Sequence, residues 1–215
     1  MITLYGFARV TSFAHGRTRD LRVLWALEEM QLPYAVHGLD HPDGELNTET
    51  FRAISPFEQI PAIDDDGDRV SESGAILIHL ARKYGKLIPT DARGQDQVIR
   101  WCFAALNTVE LPMTFLDVLK IAEKSDAPVA QLREFTLKLA HTRLTSLARW
   151  MKGRAYVATD EFTVADILMA HVLSEIDDPD LYEPYPHLRE YRERCKSRPA
   201  WQKAVQSYCA RVEAA

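Results

Sequence analysis

The chain has 215 residues, 47% of them hydrophobic, enough for a sizeable core and too many for a disordered chain. A formal net charge of −5 with no long basic block argues against a nucleic-acid or anionic-membrane partner. No stretch reads as the roughly 20 apolar residues of a membrane span, and the opening Met1-Ile2-Thr3-Leu4-Tyr5 carries no basic segment leading into a long apolar one, so neither membrane insertion nor a secretory signal is expected.

In chain order, residues 2–5 read as a short strand. Residues 6–19 follow as an irregular segment holding the hydroxyls Thr11, Ser12 and Thr18 and the cations Arg9, Arg17 and Arg19. Asp20 is placed to cap a helix. Leu21, Leu24, Trp25, Leu27 and Met30 form that helix's inner face, with Arg22, Glu28 and Glu29 outside. Leu32-Pro33 ends it, and residues 34–39 are a second strand, so a parallel βαβ unit is expected. Residues 48–54 read as a short helix stopped by Pro56. Residues 60–64 and 69–70 pair as a hairpin about an Asp- and Gly-rich turn. Ser71-Glu72-Ser73-Gly74 then opens a helix whose apolar run, 75–81, closes on Arg82, Lys83 and Gly85.

Residues 1–83 thus read as an α/β, thioredoxin-like domain of order βαβαββα, and the segment 87–91 as a linker. From there to residue 215 the pattern is all-helical, with amphipathic runs at about 95–122, 129–152, 163–174, 186–196 and 200–211. A second domain over 92–215 is therefore expected, its first helix kinked or broken at Pro112. Thr163 and Asp166 form a capping box, with Phe162 and Ile167 as its hydrophobic staple, a structural and not a catalytic feature. The cysteines Cys102, Cys195 and Cys209 have neither C-x-x-C nor metal-ligand spacing, and the seven histidines do not cluster, so a reduced cytoplasmic protein with no metal is expected.

Four separated motifs carry a family resemblance: V-L-W-A-L-E-E-M-Q-L-P-Y at 23–34, F-R-A-I-S-P-F-E-Q-I-P-A-I at 51–63, S-E-S-G-A-I at 71–76 and F-T-V-A-D-I at 162–167. In that order they resemble the cytosolic, bacterial-type glutathione S-transferase family. Pro61 on its own reads as an ordinary trans proline opening a strand; the resemblance implies that it is cis, turning the backbone of Ile60 toward glutathione to pair with its cysteinyl part. Glu72 and Ser73 on their own are residues that suit a helix start. The resemblance gives Ser73 and the nearby N–H groups the γ-glutamyl carboxylate, Glu72 its ammonium, and Gln59 the glycyl end or the backbone.

The chemistry the resemblance implies is attack by a glutathione thiolate on an electrophilic small molecule. A free thiol near pKa 8.5 is mostly protonated at neutral pH, so a hydroxyl or a cation close to the sulfur is needed. The loop after the first strand is longer than its relatives' and has no cysteine. Thr18 falls nearest the expected place, Ser12 reaches it if the loop folds back, and Arg17 with Arg19 offers a cationic field instead. Trp101, Ala105 and Thr108, with Pro112, lie along one side of the first long helix as candidates for the second-substrate pocket, although aromatic and apolar residues at that spacing also describe a core. The same site allows glutathione-dependent reduction of a disulfide or peroxide, and the same fold serves as a non-catalytic protein-interaction module. A homodimer is implied as well.

Overall fold

The computed structural model describes residues 1–41, 43–122, 128–176 and 179–214. The chain divides into two units, Met1–Pro89 together with Lys196–Ala215, and Thr90–Cys195. Residues 196–215, expected with the helical domain, therefore group with the α/β unit.

In the first unit, β1 (Ile2–Phe7) alternates buried and half-buried side chains, as a strand covered on one face should. It pairs in parallel with β3 (Tyr34–Leu39), from Ile2↔Tyr34 to Phe7↔Leu39, and α1 (Asp20–Met30) makes the crossover between them. On its other side β1 runs antiparallel to β4 (Ala62–Asp65), which pairs antiparallel with β5 (Asp68–Ser71). The sheet order is β3-β1-β4-β5. The hairpin turn places Asp66 at φ 56° and Gly67 at φ 96°, the positive angles that a two-residue hairpin turn requires. α2 (Glu49–Arg52) is capped by Thr48, whose hydroxyl accepts from the Phe51 N–H at 3.2 Å. α3 (Ser73–Tyr84) ends at Gly85, left-handed at φ 62°. A two-residue strand after β1, β2 (Arg9–Val10), pairs in parallel with a short strand at the other end of the chain, β6 (Glu213–Ala214).

α1 differs from its sequence reading in two ways. Arg22, expected on the outside, is fully buried, because α1 is covered by α3 and also by α10 (Pro199–Arg211). Trp25 packs on Trp201 at 4.7 Å between ring centroids, and the Arg198 guanidinium grips the Glu29 carboxylate at 2.6 and 2.8 Å. No periodicity within α1 could reveal a partner helix that begins at residue 199. Asp20, expected as the cap, is instead the first helical residue, and Arg19 stands at the cap position with no side-chain bond. The Asp20 carboxylate points back to the strand and accepts from the Phe7 N–H at 3.2 Å. That close approach requires Gly6, since a Cβ there would lie 2.7 Å from Asp20 Oδ2.

In the second unit, α4 (Ala92–Phe103), a π-helical segment (Ala104–Val109) and α5 (Glu110–Ala122) follow one another without a break. Of the kink or break expected at Pro112, the break does not occur, and the departure from regular α-helix is the π-helical segment just before it. Pro112 has no N–H to return to residue 108, and the wider π turn just before it absorbs the lost bond and the ring's bulk. By length and composition alone the helical stretch Ala92–Lys120 could cross a membrane, which the sequence reading did not expect; 44% of its most apolar 18 residues are buried within the protein, as in a core helix. α4 packs against α7 (Val164–Ser174), and α5 against α6 (Pro128–Met151); α8 (Pro179–Tyr182) and α9 (Pro186–Lys196) follow.

The capping box at α7 is present, and Asp166 does more than close it. Its fully buried carboxylate accepts from the Thr163 N–H at 2.9 Å, the Thr163 hydroxyl at 3.0 Å, the Val157 N–H at 2.8 Å and the Tyr191 hydroxyl at 2.8 Å.

Candidate active site

Strand register brings three separated stretches to one end of the sheet. Tyr5 pairs with Ala62, and Ala62 with Ser71. The loop leaving β1, the Ile60–Pro61 bond entering β4 and the start of α3 therefore converge, although more than 50 residues separate the first from the last. The Ile60–Pro61 peptide is cis, as the sequence reading expected. Ahead of it, the buried Ser55 hydroxyl accepts from the Gln59 N–H at 3.1 Å and donates to the Gln59 C=O at 2.8 Å, a local clamp that fixes the chain's approach. Pro61 and Ile60 are buried, Gln59 is exposed, and Ile60 stands outside the β1–β4 ladder.

The start of α3 is open. Its cap residue Glu72 is exposed and makes no side-chain capping bond, so the first N–H groups are left to a ligand or to water. Glu72 holds φ 70° and ψ 117°, a conformation costing on the order of 1–3 kcal/mol for a residue with a side chain and concentrated at functional sites. Ser73, only 5% exposed, accepts a hydrogen bond from Arg22 Nη1 at 3.3 Å. A guanidinium only donates, so this contact occupies a lone pair of the Ser73 oxygen and leaves the hydroxyl proton for another acceptor. Arg22 is the residue that the sequence reading missed. Its sole signal was a cation in the first turn of α1, where the exposed side of the helix was expected.

The β1–α1 loop is a run of turns: the N–H groups of Ala14 and His15 donate to the Thr11 C=O, and that of Arg17 to the Ala14 C=O. Ser12 is exposed, and the Arg17 guanidinium lies 5.1 Å from the centre of the Phe13 ring. Thr18 is half-buried at the foot of α1, where its C=O accepts from the Leu21 N–H at 3.2 Å. Its hydroxyl donates to the Tyr208 hydroxyl at 2.8 Å.

The candidates for the second-substrate pocket part company. Trp101 and Ala105 are buried in the helical unit, and Trp101 packs on Trp150 at 5.1 Å. Thr108 is exposed on the π turn. Cys102 and Cys195 are buried, and burial pushes the Cys102 thiol up to about 12, so it stays protonated and unreactive. Among the described residues no three His, Cys, Asp or Glu side chains gather to hold a metal. An open groove of about 890 Å³, lined by Glu28, Glu29, Tyr34 and Lys203 among others, lies at the far end of α1 from these groups, and its carboxylates are engaged by Lys203, Arg198 and Tyr34.

Two domain descriptions match the chain: glutathione S-transferase, N-terminal domain, over residues 21–83, and glutathione S-transferase, C-terminal domain, over residues 113–199. The chain belongs to the glutathione S-transferase family, and its two-part architecture is that of the family's enzymes. Among solved structures it resembles a glutathione transferase family member from Pseudomonas fluorescens with two glutathione bound, at 25% identity and a TM-score of 0.82, over 95% of this chain and 92% of that one. Among characterised proteins it is 29% identical to glutathione S-transferase hmp2 of Hypomyces subiculosus, over 95% of this chain and 98% of that protein. It is 28% identical to the disulfide-bond oxidoreductase YfcG of Escherichia coli, over 83% of this chain and 86% of that protein.

Proposed function

We propose that this enzyme binds glutathione at the sheet end formed by the β1–α1 loop, Ile60–Pro61 and the start of α3, and transfers its thiolate to an electrophilic small molecule with formation of a thioether. One observation carries the reading: an uncapped helix start, with Ser73 oriented by a buried arginine, at the same sheet end as the Ile60 backbone, which stands outside the β1–β4 ladder. The γ-glutamyl carboxylate takes Ser73 and the first N–H groups of α3, Glu72 faces the ammonium, the cysteinyl part pairs with Ile60, and Gln59 reaches the glycyl end. Thr18 stabilises the thiolate, with Ser12 and the positive field of Arg17 as the other members of the loop suited to it. Retention on immobilised glutathione, followed by turnover of a chlorinated nitrobenzene, tests the reading. Failure to bind the resin would remove it.

A second reading uses the same site for reduction, and similarity to a disulfide-bond oxidoreductase favours it. A glutathione thiolate would attack a disulfide, expel one thiolate and leave a mixed disulfide. A second glutathione would then release the other thiol and form glutathione disulfide. The loop after β1 has no cysteine and Cys102 is buried, so this reading draws both electrons from glutathione. Comparing turnover of a small disulfide with that of the nitrobenzene separates the two chemistries.

A two-fold homodimer in the cytoplasm completes the proposal. Phe57 is 77% exposed in the first unit, and Phe103, Leu111 and Phe115 are exposed in the second, apolar surface that a second copy would cover. Sedimentation at micromolar concentration should give twice the chain mass.

A further inference from the structure

Residues 1–20 and 200–215 lie outside both matched domain descriptions, and they are knitted to each other. β2 pairs with β6, and the Glu213 N–H donates to the Ala8 C=O at 3.0 Å. His15 Nε2 donates to the Val212 C=O at 3.2 Å. The Arg211 guanidinium donates to the Phe7 C=O and lies 3.4 Å from Asp20 Oδ2. At the centre of this seam, Thr18 Oγ1 donates to Tyr208 Oη at 2.8 Å.

That last bond bears on the thiolate directly. A threonine hydroxyl has one proton, and here it is given to Tyr208, so the oxygen in this state offers only lone pairs. A thiolate needs a donor. Tyr208 is fully buried, with the His15 ring edge-on at 5.4 Å and the Asp20 and Arg211 side chains close by. Burial holds its phenol above the usual range, so at neutral pH it keeps its proton and can return the bond.

We propose that Tyr208 is a positioning residue for the thiolate site: it holds Thr18 Oγ1 in place and, when Thr18 turns its proton to the glutathione sulfur, donates its own proton into the Thr18 oxygen. Two hydroxyl protons rotate, no covalent bond forms or breaks, and the negative charge on sulfur is shared along a two-hydroxyl chain. The C-terminal helix and strand are then working parts of the loop that carries Thr18. The inference rests on the assignment of Thr18 above.

Tyr208→Phe removes the hydroxyl and keeps the ring, so the packing around it survives. The measurement is ionisation of bound glutathione, followed by thiolate absorbance against pH, with the dissociation constant from calorimetry. Tyr208→Phe should raise the bound thiol's pKa by about half a unit or more, while the dissociation constant measured well below that pKa, where the neutral thiol binds, changes less than about twofold. Thr18→Ala should raise it at least as far, and the double variant should match Thr18→Ala alone, because the tyrosine acts only through the threonine. The acidic limb of kcat/KM for the electrophile against pH, measured at saturating glutathione, should move with it. If Thr18→Ala raises the thiol pKa and Tyr208→Phe leaves it at the wild-type value, or if the two effects add, the relay is overturned and the Thr18 assignment stands. A Thr18→Ala variant with wild-type ionisation overturns both.

Discussion

Ser73 and Arg22 form a pair in which a buried cation sets the orientation of a hydroxyl. Ser73→Ala removes one charge-assisted hydrogen bond to the ligand carboxylate and should raise the glutathione dissociation constant about tenfold, near 1.4 kcal/mol. Arg22→Gln should weaken binding about three- to tenfold in the wild-type background and scarcely at all in the Ser73→Ala background, since the arginine acts on the ligand through the serine. Equal losses in both backgrounds would assign Arg22 to the fold and not to the site. Pro61, Glu72 and Ser73 were singled out through the family resemblance; on local signals alone they read as an ordinary strand-opening proline and a polar pair starting an apolar helical run. Arg22 and Tyr208 were not. Each acquires its role from a residue far along the chain, Ser73 for the first and Thr18 for the second, and helical periodicity reports only which side of a helix is apolar.

At the level of elements, the entry to α7 and the end of the β4–β5 hairpin are each organised by one buried carboxylate. Asp166→Ala strips four donors of their acceptor, the Val157 and Thr163 N–H groups and the Thr163 and Tyr191 hydroxyls. An exposed cap is worth about 1 kcal/mol, and buried donors left unpaired cost about 1–3 kcal/mol each before relaxation. A loss of about 3 kcal/mol or more is therefore expected as a lower urea midpoint, with glutathione affinity unchanged in the folded fraction. Asp65 is buried between His79 Nε2 at 2.9 Å, the Tyr84 hydroxyl at 2.8 Å and Lys83 Nζ at 3.0 Å. Burial alone would raise its pKa, but together the bonds from Lys83, His79 and Tyr84 hold it below the usual carboxylate range. A depressed folded pKa means that its stabilisation is present above the unfolded-state value, near 4, and is lost as pH falls through the folded one. Asp65→Asn should thus be less stable than wild type at neutral pH, and the gap should close on acidification below about pH 4. A gap independent of pH would show that Asp65 contributes shape and not charge. The hairpin and the capping box were readable beforehand, since both are written in a few consecutive residues. The unbroken helix past Pro112 was not, because the π turn that accommodates the proline has no signature in the sequence.

For the molecule as a whole, the order of the main strands and helices and the two-part plan were legible from the switch between strand and helix periodicity, while the short β2, α8 and β6 were not. The return of α10 and β6 to the first unit was not, since an amphipathic helix does not say which face elsewhere it will cover. That return buries α1 on a second side and brings Tyr208 to the loop, so part of the proposed site is built from the last residues of the chain. The central claim is that the sheet end holds glutathione by its γ-glutamyl carboxylate at the start of α3. A crystal soaked in glutathione tests it most directly. The carboxylate should lie within about 3.2 Å of Ser73 Oγ and of the first N–H groups of α3, with the cysteinyl backbone paired to Ile60. Glutathione seated elsewhere, or a carboxylate out of reach of Ser73 at full occupancy, would contradict the account.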